Sequence, residues 1–105
     1  MKWITRLPTH DNHGKRFSKS ILKSVTDKVR DKFGGYSLDG PGFGAWTDDE
    51  GVVYEEHSYV LTVLCDRTLY FEARAIVIEV GKRLNQKAMY FEVRDVDGVE
   101  IISIE

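Results

Sequence analysis

The sequence predicts an α+β protein, a ferredoxin-like βαββαβ sandwich with an extra C-terminal hairpin strand and two helices on one face of an antiparallel sheet. Three observations predict it. Two segments repeat apolar residues every three or four positions with charges between them, as helices burying one stripe do. The segments around them alternate apolar and polar residues, the period of strands with one covered face. Their order is strand, helix, two strands, helix, strand, and both stripes are buried if the helices lie on the same side of one sheet.

The first strand is "KWITRL", with Trp3 or Ile4 available to the core and Pro8 placed to stop it. "PTHDNHGKR" follows as a polar loop. From Ser18 to Phe33 the stripe is Ile21, Leu22, Val25, Val29 and Phe33, and Gly34 stands where a left-handed helix cap is easiest. "FGAW" and "VVYEEHSYVLTVLC" are strands joined by the turn "TDDEG". On the longer one Val53, Glu55, His57, Tyr59, Leu61 and Val63 point one way, and Tyr54, Glu56, Ser58, Val60 and Thr62 the other. Asp66 or Thr68 caps a second helix over Leu69–Asn85, with the stripe Leu69, Ala73, Ile76, Val77, Val80 and Leu84. "AMYFEVRDVDGVEIISI" closes the chain as a hairpin about a type I′ turn at Asp97-Gly98. That register sets Val96 opposite Val99 and Val93 opposite Ile102, placing Met89, Phe91, Val93, Ile102 and Ile104 under the helices.

A chain of 105 residues, 42% hydrophobic and 30% charged, fits one α+β domain over residues 1–105. Its single cysteine, Cys65, makes no internal disulfide, and its place at the end of an apolar run marks a buried, inert thiol. The N-terminus lacks the apolar core of a signal peptide, and no run approaches the roughly 20 apolar residues of a membrane span. Cytoplasmic is the plain expectation. Charge is uneven: residues 1–35 carry nine Lys/Arg against three Asp/Glu, and residues 36–105 six against fourteen. Such asymmetry steers a partner or aligns two copies.

Several stretches carry candidate chemistry. "GPGFG" is rich enough in glycine to cradle a phosphate, but it leads into a strand rather than a helix N-terminus and no lysine follows, so a tight reversal explains it. Glu55, Glu56 and His57 are the catalytic candidates, able to divide general-acid and general-base roles. Alternation, however, separates Glu56 and Ser58 from Glu55 and His57 by the thickness of the sheet, so the run alone assembles no triad. Trp46, Tyr54, Glu56, Ser58 and Tyr90 are the binding candidates, an aromatic and acidic recognition surface. His10, Asp11 and His13 could join His57 around zinc, but spacing in a loop has no fixed geometry, and we expect no metal and no cofactor. The basic residues Lys15, Arg16, Lys19, Lys23, Lys28, Arg30 and Lys32 could meet RNA, but Glu56 and Glu92 share their faces with Tyr54 and Tyr90 and would repel phosphate.

The helix exit followed by "GGYSLDGPGFGAW", the turn "DDEGVV" and the run "EEHSYVLTVL" resembles a family of small, largely uncharacterised bacterial and phage proteins of this topology. The resemblance covers about residues 20–93 and rests on Gly35, Gly44, Trp46, Gly51, Glu56 and Ser58. It implies the fold and no assigned chemistry.

These features predict a non-catalytic binding module rather than an enzyme. It would be a dimeric protein- or small-ligand-binding accessory protein, of the kind a phage or mobile element uses against a host defence complex. The partner is a protein or a second copy, a homodimer covering the open side of the sheet through Tyr90, Val96, Val99 and Ile101. Two alternatives come from other classes: a small hydrolase or ribonuclease using His57 with Glu55 or Glu56, and an RNA-binding module using the basic first helix.

Overall fold

A computed structural model describes residues 1–104. The elements are β1 (Lys2–Pro8), α1 (Lys19–Phe33), β2 (Ser37–Thr47), β3 (Val53–Leu64), α2 (Tyr70–Arg83) and β4 (Phe91–Arg94), with one 3-10 turn, Arg67–Leu69, leading into α2. The strands form one antiparallel sheet in the order β2-β3-β1-β4, which makes the fold a ferredoxin-like α+β sandwich.

Register sets the core. Trp3 faces Val63 and Val93 across β1, Thr5 faces Leu61 and Phe91, and Leu7 faces Tyr59. These odd-numbered positions point toward both helices. Val25 and Val29 of α1, and Ala73, Ile76, Val77 and Val80 of α2 with Leu84 just beyond it, are buried against them. Trp3 is the centre: it is fully buried, meets Phe33 edge-on at 5.3 Å between ring centroids, and lies 6.1 Å from Phe91. The helix stripes therefore lie on one side of the sheet, as the 3.6-residue period requires.

Local chemistry sets the helix ends. The Ser18 hydroxyl accepts from the Ile21 amide at 3.2 Å and caps α1. Gly34 ends the helix at φ 91°, its amide donating to the Arg30 carbonyl at 2.7 Å. Asp66 accepts from the Thr68 amide at 2.9 Å, capping the 3-10 turn before α2.

The fold departs from expectation in two places. The glycine-rich stretch is not a reversal: "GPGFG" lies inside β2, an 11-residue strand of which "FGAW" is only the later part. The pairing steps from Asp39↔Val60 to Gly42↔Ser58, so β2 carries one extra residue there, a β-bulge. Backbone pairing with β3 on both sides of the bulge outweighs the turn propensity of the glycines. The extra C-terminal strand is also absent among the described residues: Val99–Ile104 form no strand. A type I′ turn needs φ > 0 at both central residues, and neither Asp97 nor Gly98 adopts it. Ile102 and Ile104 consequently stand 67% and 89% exposed instead of lying under the helices, while Met89, Phe91 and Val93 do pack on the core.

Candidate functional site

β1 ends where Pro8 pairs with Ser58, but β2 and β3 continue pairing from Phe43↔His57 to Thr47↔Val53. The outer part of the hairpin is thus a two-stranded ribbon beyond the third strand. Its tip is organised by Asp48, whose carboxylate accepts from the Glu50 amide at 2.9 Å, the Val52 amide at 3.0 Å and the Tyr54 hydroxyl at 3.2 Å. Lys87, in the segment joining α2 to β4, completes the set with an ion pair to Asp48 at 2.8 Å. A cavity of about 530 Å³ lies between this ribbon, the end of β1 and residues 86–90.

Alternation divides the ribbon into two faces, and the cavity is lined from both, by Phe43 and Ala45 as well as by Gly44 and Trp46. Gly42, Gly44 and Trp46 of β2 pair with Ser58, Glu56 and Tyr54 of β3, so these six share the side of the sheet away from the helices. The two glycines supply no side chain there, which leaves room. Trp46 stacks on Tyr54 with ring centroids 4.5 Å apart and planes 16° apart, which orients the indole. Trp46, Glu56 and Ser58 line the cavity, joined by Arg6 and Tyr90 from the opposite wall. The Arg6 guanidinium sits 5.4 Å from the Tyr90 ring centroid, and the Tyr90 hydroxyl donates to Glu92. That bond pushes the Tyr90 hydroxyl above its ordinary pKa and, with Arg94, holds the Glu92 carboxyl low.

Four of the five binding candidates therefore meet around one cavity, and the fifth, Tyr54, stacks on Trp46. Glu56 is half-buried there and forms no ion pair or hydrogen bond among the described residues. The catalytic candidates divide differently. His57 packs against Phe43 with the rings tilted by 54°, 5.1 Å between centroids, on the face of the ribbon with Glu55, and both His57 and Glu55 are exposed. The zinc candidates are not assembled: the His10 ring nitrogen Nδ1 bonds the Thr9 hydroxyl at 2.6 Å, and Asp11 is occupied by the His13 and Lys15 amides. No group of three or more His, Cys, Asp or Glu converges among the described residues. On the basic helix, Lys23, Lys28 and Arg30 are paired with Asp27, Glu79 and Asp31. Burial raises the pKa of the half-buried Cys65 thiol, which keeps it a weak nucleophile.

Arg6, Pro8, Gln86 and Met89 line the cavity without being among the binding candidates read from the sequence. Arg6 carried a signal, since it is a charged residue opposite the buried stripe of β1. The other three come close only through the tertiary fold.

The Asp48 latch makes a pH prediction. Lys87 above all, then the Val52 amide, hold the Asp48 carboxyl down to about 2. A depressed carboxyl stabilises the fold above its unfolded pKa, about 3.9. That contribution declines as pH falls from there through about 2, where the carboxylate is protonated. Nuclear magnetic resonance titration should find an Asp48 midpoint near 2, and Lys87→Met should move it upward. An Asp48 midpoint at the ordinary carboxylate value would show that the tip is not tied down.

No family model matches the chain, and no curated protein sequence does. Solved structures do. A phage SAM lyase in complex with S-methyl-5'-thioadenosine superposes with a TM-score of 0.65 at 12% identity, over 90% of this chain and 79% of that one. The divalent cation tolerance protein CutA1 from Thermus thermophilus gives 0.64 at 10% identity, over 94% and 88% of the two chains. A DUF3240 family protein from Shewanella baltica gives 0.52 at 10% identity, over 97% of each. At these identities the likeness establishes the shared ferredoxin-like α+β fold.

Proposed function

We propose that this chain is a non-catalytic binding module holding a small ligand with a planar ring, of nucleoside size, in the cavity beneath the β2–β3 ribbon. The observation that carries this reading is the lining: an indole fixed by stacking, a second aromatic wall at Tyr90, and a half-buried carboxylate, Glu56, that has no polar partner among the described residues. A volume of about 530 Å³ falls in the range that takes such a ligand. Trp46 offers a face to a base, and Glu56 an acceptor for a sugar diol or an exocyclic amine. The Arg6 guanidinium adds a donor at the other wall. Among the described residues nothing in the cavity pairs a nucleophile with a base: the Ser58 hydroxyl is buried, and the histidine of this strand, His57, points to the other side. The phage SAM lyase of the same fold was solved with S-methyl-5'-thioadenosine, and that nucleoside is the first ligand to test.

Titration with S-methyl-5'-thioadenosine, followed by tryptophan fluorescence, tests the reading. Trp3 is sealed in the core, so a saturable change reports Trp46. Trp46→Ala is expected to weaken binding roughly 5- to 150-fold, the range for losing a base-stacking aromatic. If neither this nucleoside nor adenosine binds at millimolar concentration by calorimetry, the reading is wrong. Self-association belongs to the same reading of an accessory module, and its surface is a separate question.

A further inference from the structure

The C-terminal segment is the most exposed apolar stretch of the chain: Ile101 is 85% exposed, Ile102 67%, Ile104 89% and Val99 48%. Single exposed apolar side chains are ordinary, but four in six residues of strand-favouring type are not. The backbone of these residues forms no hydrogen bond with the rest of the chain among the described residues. A place beside β4 is within reach, and the chain leaves it empty because Asp97 and Gly98 do not make the turn.

The far edge of the sheet has the complementary deficiency. Among the described residues β2 pairs only with β3, and its whole first part, residues 37–43, is exposed, including Leu38 at 39% and Phe43 at 65%. The tail of the same copy leaves from β4, on the opposite edge, so the β2 edge is left for another chain. Charge adds only a long-range bias toward the basic end of a second copy. Residues 95–104 carry Asp95, Asp97 and Glu100 and no basic residue. β2 itself carries Asp39 and no basic residue, and it begins four residues after the basic helix α1, near whose end Lys32 forms no ion pair among the described residues.

We propose that residues 99–104 of one copy add as a strand to the free edge of β2 in a second copy. Each copy gives a tail and receives one, and the assembly proposed is the closed one, a reciprocal dimer or a small ring. Six extended residues span about 20 Å. Two such contacts, widened by Leu38 and Phe43, bury an area on the order of the 1,000 Å² that a specific interface needs. This assembly does not depend on what the cavity binds.

Sedimentation of the full chain at about 100 μM should show an oligomer. Ile101→Asp with Ile104→Asp should weaken it at least about tenfold, because two charges would have to be desolvated, with the circular dichroism spectrum unchanged. For location, copies carrying Cys65→Ser and Ile104→Cys take a spin label at position 104 and are mixed with isotope-labelled wild-type copies. Broadening is expected at amides of β2, residues 37–47. A monomer at that concentration, an oligomer indifferent to the two aspartates, or broadening centred anywhere but the β2 edge overturns the proposal.

Discussion

Trp3→Ala is expected to lower the unfolding free energy by about 3–5 kcal/mol, the cost of emptying an aromatic site in a packed core. A chain of this length holds about 5–15 kcal/mol in all, so the loss ranges from about a fifth of that total to all of it. The reason is the position of the ring. Trp3 projects into the core from the middle of three strands, with Val63 and Val93 beside it, Phe33 of α1 edge-on and Phe91 of β4 tilted against it. Its removal loosens both helices and two strand pairs at once. Urea denaturation measures the loss, with Trp46 left as the fluorescent probe. Trp3→Phe separates volume from polarity. The indole Nε1 is buried without a hydrogen-bond partner among the described residues. Phenylalanine therefore gives up packing but no satisfied polar contact, and should cost less than about 2 kcal/mol. A Trp3→Ala loss below that of Trp3→Phe would mean that the core is not centred where the structure places it.

The parts of the fold that were legible are those whose own residues carry the pattern. Both helices repeat their apolar residues at the helical period and both have a recognisable entry, Ser18 for α1 and Asp66 for the turn before α2. Alternation along 53–64 separates the two sides of β3 as the structure does, with Leu61 and Val63 buried and Glu55 and His57 exposed beyond the end of the helices. β2 was hidden for a physical reason. From Ser37 to Phe43 every residue is exposed, so this half is held by backbone pairing to β3 and has no burial pattern to display. The C-terminal hairpin failed the other way. Its pattern is strong, but an alternating segment says only that a strand is available, and not that it is paired.

The cavity follows the same division. Alternation along β3 was enough to place Glu56 and Ser58 on one side, and that Trp46 shares it follows from the observed pairing with Tyr54. The opposite wall was not readable. Arg6 comes from β1, held by its pairing with Val60, and Gln86 and Met89 come from the segment around Lys87, which the Asp48–Lys87 tie, 39 residues apart in sequence, fastens to the ribbon. That tie joins a turn whose acids looked interchangeable. Only Asp48 meets the Glu50 and Val52 amides, the Tyr54 hydroxyl and Lys87 together.

Gly40→Ala should be the most damaging small substitution outside the core, at about 2–5 kcal/mol, the sum of a backbone and a packing cost. Gly40 sits at φ 107°, and an added Cβ would lie 2.9 Å from the Gly42 nitrogen and 3.1 Å from the Ser58 carbonyl oxygen. Left-handed backbone costs a residue with a Cβ roughly 1–2 kcal/mol, and forced overpacking roughly 1–3 kcal/mol. Both close contacts are backbone, so no side chain can swing aside. Gly42 and Gly44, in the same short stretch, have open space where a Cβ would stand and no positive φ. Gly42→Ala is therefore expected to be neutral or to stabilise by up to about 1 kcal/mol through the unfolded chain. Thermal unfolding separates them: Gly40→Ala should melt at least about 8 °C below wild type and Gly42→Ala at or above it. Equal melting points would dismiss the bulge as the reason for the glycines. The damage should also reach the cavity, because relieving the contact moves Ser58 and the strand that carries Glu56, and S-methyl-5'-thioadenosine binding should weaken in Gly40→Ala even where the protein remains folded.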